Sequence, residues 1–356
     1  MPSTLSNFHV IRPEHELDQE NILEWVAAAH AEAAKQTSVG VTVLTMLRKI
    51  GLGKGKIARR GISISDCLHR NWQEMEVHKQ GSGLGLKTSV FDRIATDVLT
   101  QFYPVGTPLP SHIIHVTCTG YTAPSPAQKL VAFRDAGPKT TVTHAYHMGC
   151  YASIPAIRIA QGFEGSVDIV HTEICSLHMN PSFHTLDQLV VQSLFADGFI
   201  KYTVSSGGGP GFEVLATQEE ILPESIDVMT WMCADWGMKM TLSKEIPLLI
   251  VQALPTFVAE LLRKANVSSD DSLYFAIHPG GPKIIEQIAA LMKLEPWQFS
   301  HSAKVLSQYG NMSSATLPHI WNGIWDDFSV PDGAKIVSLA FGPGLTIAGA
   351  VLQCKR

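Results

Sequence analysis

Charge is scarce in this sequence and not segregated. Asp, Glu, Lys and Arg make up 17% of its 356 residues, and the formal net charge is −5. That balance argues against a general nucleic-acid binder and leaves room for a local basic patch. Cysteine is also sparse. The residues at 67, 118, 150, 175, 233 and 354 form no CxxC pair, which argues against a disulfide framework or zinc ribbon and for a reducing compartment. Met1 to Glu14 has no basic stretch followed by an apolar core, so no signal peptide is read. The longest apolar run, Ile246 to Leu262, contains Pro247, Pro255 and Glu260. It is expected to be a buried helix or a pair of short elements, not a membrane span. Neither His144/His147/Cys150 nor His171/Cys175/His178 falls in an HExxH or paired-CxxC pattern, and no metal is expected. A cytoplasmic protein follows.

What is present is alternation. Apolar residues at helical spacing mark His15 to Lys35, Val41 to Ile50, Asp92 to Phe102, Pro126 to Phe133 and Leu186 to Phe195. Between them lie short buried-strand runs at Ile113 to Thr117, Val167 to Ile174 and Phe199 to Val204. Such alternation predicts a layered α/β arrangement. Ser205 to Gly211 is glycine-rich and marks the passage to a second half with the same grammar. The expected division is 1–205 and 206–356. In the second half, helices are predicted at Ile246 to Lys264, Lys283 to Lys293 and Ala315 to Trp325. Strands are predicted at Leu273 to Ile277, Lys335 to Phe341 and Leu345 to Gln353.

Polar residues of chemical interest are expected at strand-to-helix turns. Cys150 follows the run Thr140 to Thr143 and precedes an apolar-periodic segment with Pro155 in its first turn. A free cysteine is ordinarily a small inert core residue. At a helix N-terminus, however, the dipole favours thiolate. His278 lies in His-Pro-Gly-Gly-Pro and Asn311 in Gly-Asn-Met-Ser-Ser, at two further turns. In open α/β sheets the carboxyl ends of strands gather ligand sites. Thiol, imidazole and carboxamide together suit acyl thioester chemistry. The sulfur accepts an acyl group, and the imidazole stabilises the thiolate as an ion pair. Imidazole N–H and amide NH2 can both donate to the oxygen of an enolate formed by loss of CO2.

Four ordered motifs, His147-Met148-Gly149-Cys150, Ile277-His278-Pro279-Gly280-Gly281, Tyr309-Gly310-Asn311-Met312-Ser313-Ser314 and Phe341-Gly342-Pro343-Gly344, resemble the type III polyketide synthase (chalcone synthase-like) family across the whole chain. The resemblance implies a thiolase fold, αβαβα in layers, with two pseudo-equivalent halves and a homodimer. It implies Cys150 as nucleophile, His278 and Asn311 as the decarboxylation and oxyanion pair, and Glu173 and Ser313 behind them. It implies no cofactor, only acyl-coenzyme A or acyl-carrier-protein thioesters as substrates. A basic cluster (Arg48, Lys49, Lys54, Lys56, Arg59, Arg60) interrupted by glycines reads either as a solvated loop or as a clamp for phosphorylated carriers. Lys54, with Lys49 and Arg59, is the expected clamp.

The cavity is expected to involve Cys118, Thr119, Ala123, His178, Phe212, Trp231, Met240 and the Gly342, Pro343, Gly344 loop. Phe212 is read as one of two gatekeeping phenylalanines, with Met240 in the second position. Ala123 stands where the family has a methionine reaching across the dimer. Cys118, His178 and Trp231 replace smaller or hydroxyl residues. These departures point away from a flavonoid and towards an aliphatic starter. Two product types stay open: iterative malonyl-CoA-extending alkylpyrone or alkylresorcinol synthases, and stand-alone α-pyrone-forming ketosynthases of the myxopyronin/corallopyronin type, which join two carrier-borne β-keto chains. A cysteine hydrolase or simple acyltransferase is the enzymatic rival. A non-catalytic chain-length-factor-like subunit is the other, and the retained Cys150 counts against it.

Overall fold

The computed structural model describes residues 3–50, 55–79, 82–269 and 271–356. The first half runs β1 (Ser3–Ile11), β2 (His15–Asp18), α1 (Gln19–Ala34), α2 (Thr37–Ile50), β3 (Arg59–Ile62), α3 (Leu84–Phe102) and β4 (His112–Thr117). It continues through α4 (Pro126–Phe133), β5 (Thr141–Tyr146), α5 (Ser153–Ala160), β6 (Ser166–Ile174), α6 (Leu186–Leu194) and β7 (Asp197–Ser206). The second half comprises β8 (Gly211–Ile221), β9 (Met229–Ala234), β10 (Gly237–Leu242), α7 (Ile246–Ala265), β11 (Leu273–Ile277), α8 (Pro282–Met292), α9 (Pro296–Tyr309), α10 (Thr316–Trp325), β12 (Lys335–Gly342) and β13 (Thr346–Lys355).

Local chemistry explains the boundaries. Helix α4 starts at a reciprocal capping box between Ser125 and Gln128, with Pro126 in its first turn. Helix α7 ends on Asn266 in the left-handed conformation, at φ 53°. Strand β6 is buried at every position from Val167 to Ile174, because it lies between β4 and β7 with both faces covered. Helix α7 is long and apolar enough to cross a membrane. Its Ile250, Leu254, Phe257, Val258, Leu261 and Leu262 nevertheless pack into one apolar core with residues of β11, β12 and β13.

Nine strands form one hydrogen-bonded ribbon, in the order β11-β12-β13-β8-β1-β7-β6-β4-β5. Its two arms repeat one pattern. In the first arm β4 runs parallel to β6, β6 antiparallel to β7, and β7 antiparallel to β1. The second arm has β11 parallel to β12, β12 antiparallel to β13, and β13 antiparallel to β8. The arms meet where β1 and β8 share only the pairs Ser3–Val214, Thr4–Glu213 and Leu5–Phe212.

Apolar packing sorts the helices into layers. Residues of α1, α2, α3 and α4 form one core against the first arm. Those of α7, α8 and α9 form another against the second. Between the arms, α5 (Ile154, Ile157) and α10 (Ile320, Trp321) share a core with strands of both. This is the αβαβα thiolase layering expected from the sequence. Two details differ. His15 to Asp18 is a short strand paired with β3 and not the start of a helix. Asn311 follows helix α9 and precedes a single 3-10 turn, so only Cys150 and His278 sit at strand ends.

Candidate active site

Strand β5 delivers the chain to a turn that only unusual backbone can make. His147 and Gly149 both have positive φ, at 62° and 77°. At Gly149 a Cβ would lie 2.7 Å from Cδ of Pro343, so this position needs glycine for conformation and for space. The turn places Cys150 just ahead of α5, only 7% exposed. His278 follows β11 and is held through its backbone, whose N–H donates to the Leu339 carbonyl at 2.8 Å. Both of its ring nitrogens are buried without a hydrogen-bond partner. Asn311 is pinned on both sides: its N–H donates to Leu194 O (3.0 Å), and its carbonyl accepts from Ala196 N (2.8 Å). The Ser313 N–H donates to Asn311 Oδ1 at 2.9 Å. That occupies the amide's acceptor and leaves its NH2 to face the Cys150 sulfur.

Cys150, His278 and Asn311 share the wall of one cleft of ≈ 970 Å3. Lys49, Lys56, Lys244 and Lys283 also line it, with Glu286 and Asp187 among them. Lys56 is paired with Glu286. Beyond Cys150 lies a smaller chamber of ≈ 40 Å3, walled in part by Cys118, Thr119, His178, Trp231, Ser313 and Pro343. Phe195 and Met240 line both spaces.

Electrostatics at the centre follow from burial. It pushes the Cys150 thiol up to about 12, against hydrogen bonds from Ser313 and Asn311 that favour thiolate. Burial also takes His278 down to about 3. Both shifts run towards the uncharged thiol and imidazole, opposite in direction to the ion pair expected from the sequence. Behind Cys150, the Ser313 hydroxyl lies 3.8 Å from its sulfur and 3.0 Å from that of Cys118. The Glu173 carboxylate accepts from Cys118 N (3.1 Å), Thr119 Oγ1 (3.1 Å) and the Ser314 hydroxyl. Its pKa is raised by burial in spite of them.

Residues 213–355 match the model for chalcone and stilbene synthases, C-terminal domain. Over 350 residues the chain is 25% identical to 1,3,6,8-tetrahydroxynaphthalene synthase of Streptomyces coelicolor, covering 97% of this chain and 90% of that one. The C-terminal part of the chain thus carries the chalcone and stilbene synthase domain, and the whole chain is similar to type III polyketide synthases. It is also 30% identical over 257 residues to Probable polyketide synthase 1 of Dictyostelium discoideum. That match covers 68% of this chain but only 8% of the much longer relative. Among solved structures, the C-terminal type III domain of Steely1, a type I/III hybrid from Dictyostelium, matches at TM-score 0.85 and 23% identity over 100% of both chains. The S. coelicolor synthase matches at 0.83 and 24%, over 99% of each. These structures establish the fold.

Not every expected residue reaches a cavity of this protein. Cys118, Thr119, His178, Trp231, Met240 and Pro343 line the inner chamber. Phe212 does not: it is fully buried on β8, between Leu5 and Cys354 of the neighbouring strands. Its ring packs edge-on against Phe8 and Trp325. Phe341 lines the cleft, and the phenylalanine that lines both cavities is Phe195, in Leu194-Phe195-Ala196-Asp197-Gly198, where the end of α6 breaks into β7. That helix-end position was the available signal. Gly342 is needed for space, since a Cβ there would lie 2.1 Å from the Tyr151 ring. Gly344 has φ 70° and open space around it. Ala123 is exposed. In the basic cluster, Lys49 lines the cleft, while Arg59, the one exposed residue of β3, lies 3.7 Å from Glu16 and is not among the cleft walls. Lys54 falls outside the described residues. Arg60 is no surface residue at all, being 1% exposed.

Proposed function

We propose that this type III synthase condenses thioesters by a decarboxylative Claisen reaction, with Cys150 as nucleophile and His278 and Asn311 as the enolate-stabilising pair. The observation that carries this reading is the convergence of Cys150, His278 and Asn311 on one cleft, with the His278 ring nitrogens unpartnered. An acyl thioester arrives along the lysine-lined cleft, from coenzyme A or a carrier protein. The Cys150 proton passes to a base as sulfur attacks the acyl carbonyl, and the carrier thiol leaves. A malonyl thioester then binds with its carbonyl oxygen between His278 and Asn311. Its carboxylate leaves as CO2, and the electrons of the broken C–C bond form the enolate, whose oxygen takes the two hydrogen bonds. The enolate carbon attacks the acyl carbonyl and expels the Cys150 thiolate, which can accept the lengthened chain. Glu173, Ser313 and Ser314 hold the far wall.

The product is read as an α-pyrone, closed by attack of an enol oxygen on a distal carbonyl. The small inner chamber supports closure after few additions. A polyhydroxynaphthalene is the second reading, favoured by the full-length similarity to tetrahydroxynaphthalene synthase. The same reading divides the chain at 205/206, consistent with the repeated strand pattern. It also makes the active form a homodimer in the cytoplasm. The test is intact mass after incubation with acyl-coenzyme A, acyl carrier protein and malonyl-coenzyme A. A Cys150-dependent adduct that disappears with extender as a pyrone is released is expected, and Cys150→Ala should keep malonyl decarboxylation without loading. Loading in that variant would overturn the nucleophile assignment.

A further inference from the structure

Arg60 belongs by sequence to a basic cluster, yet the fold buries it beside the inner chamber. Its stem lies against Gly310, where a Cβ would come within 2.9 Å of Arg60 Cγ. Its Nε donates to Gln19 Oε1 (2.8 Å), and its Nη1 donates to the carbonyls of Gln192 (2.9 Å) and Phe195 (2.7 Å). Gln19, also fully buried, donates to the Ser193 carbonyl at 2.8 Å.

These acceptors are the end of helix α6. A helix leaves its last four carbonyls without intrahelical partners. Here Val191 O takes the Phe195 N–H, Gln192 O takes Arg60, Ser193 O takes Gln19, and Leu194 O takes the Asn311 N–H. The cap of α6 is therefore also the backbone support of Asn311. It holds Phe195, whose ring lines both cavities, by the same guanidinium. A guanidinium suits the task because its planar fork reaches several acceptors in fixed directions and its charge meets the negative end of a helix.

We propose that Arg60 is a positioning residue for decarboxylation: by capping α6 it sets the backbone of Asn311, and with it the carboxamide that holds the enolate oxygen. The proposal rests on the condensing reading above. The hydrogen bonds of Arg60 go to Gln19 and the end of α6 and none to the Cys150 turn, so its loss should separate two half-reactions. Three measurements decide it: malonyl-coenzyme A decarboxylation without starter, the rate of Cys150 acylation by intact mass, and both again in an Asn311→Asp background. Arg60→Gln should lower kcat for decarboxylation about tenfold or more, with KM nearly unchanged and acylation within about twofold. Arg60→Lys should recover part of the loss. Gln19→Met, which weakens the same cap without removing the charge, should give the same split more mildly, and stands in if Arg60→Gln does not fold. In the Asn311→Asp background, Arg60→Lys should add less than about twofold, because the two act as one unit. Equal loss of both half-reactions in Arg60→Lys and Gln19→Met would show a merely structural role and overturn the proposal. Full additivity with Asn311→Asp would do the same. Wild-type protein that does not decarboxylate malonyl-coenzyme A would overturn the condensing reading itself; decarboxylation with an unchanged split in the variants would overturn the Arg60 proposal alone.

Discussion

Sulfur reactivity at Cys150 is governed by two opposed effects. The hydrogen bonds from Ser313 and Asn311 favour thiolate, and burial favours thiol. Burial is the larger, and His278 is driven neutral by the same cause. Removing a lone charge from water costs more than two neutral donors return, which works against a preformed thiolate. The consequence is measurable. A thiol whose pKa is raised exposes thiolate only as pH climbs towards that raised value. Alkylation of Cys150 by iodoacetamide should therefore rise about tenfold per pH unit through pH 7–9, with no plateau near neutrality. Peptide mapping against pH reads this directly. A rate already level below pH 7 would show a preformed thiolate–imidazolium pair.

Elements carry these residues to the site, and their legibility in the sequence was uneven for physical reasons. Strand β11 and helix α4 stand at the bounds that periodicity predicts, because apolar run and turn residues agree there. Strand β1 was invisible: Ser3-Thr4-Leu5-Ser6-Asn7-Phe8 has too little apolar contrast to show a period, although β1 lies at the centre of the ribbon. Asn311 was legible as a candidate site residue but not as a helix-end residue, since its strand-like pairing with Phe195 comes from a distant segment. Phe212 and Phe195 show the limit most clearly. Motif order could not reveal that β8 turns Phe212 into the core while the end of α6 turns Phe195 to the cavities. Pocket size belongs to the β9–β10 hairpin, which brings Trp231 to the inner chamber. Its indole N–H donates to the Cys118 carbonyl at 2.6 Å, and its ring meets His178 edge-on at 5.7 Å. Trp231→Ala removes a large side chain from the chamber wall. Products extended by at least one further two-carbon unit are expected, read by mass spectrometry. An unchanged product distribution would place the length limit elsewhere.

At the scale of the molecule, neither half holds a complete site. Cys150 comes from the first arm, His278 and Asn311 from the second, and the shared core of α5 and α10 fixes their separation. The first arm ends in β5, which pairs with β4 and with no other strand among the described residues. The N–H groups of Thr141 and His147 donate back towards β4, to the carbonyls of Ser111 and Thr117. Alternation along a strand then directs those of Val142, His144 and Tyr146 outward. An unpaired edge this close to the Cys150 turn is a template for another strand, and a second copy of β5 across a two-fold axis would satisfy it. Ala123 is exposed, and Tyr121 nearby packs edge-on against Tyr146 and His147, at the end of β5. Light scattering should therefore give twice the 38.8 kDa chain mass for the wild type. Ala123→Glu places a charge in that contact without touching the core, and should shift the protein towards the single-chain mass. If the partner closes the cavity, condensation should fall in proportion to the monomer formed while acylation of Cys150 persists. A wild-type monomer would refute the edge pairing. A monomeric variant with unaltered products would show that each chain closes its own cavity and that pairing serves only to cover the edge.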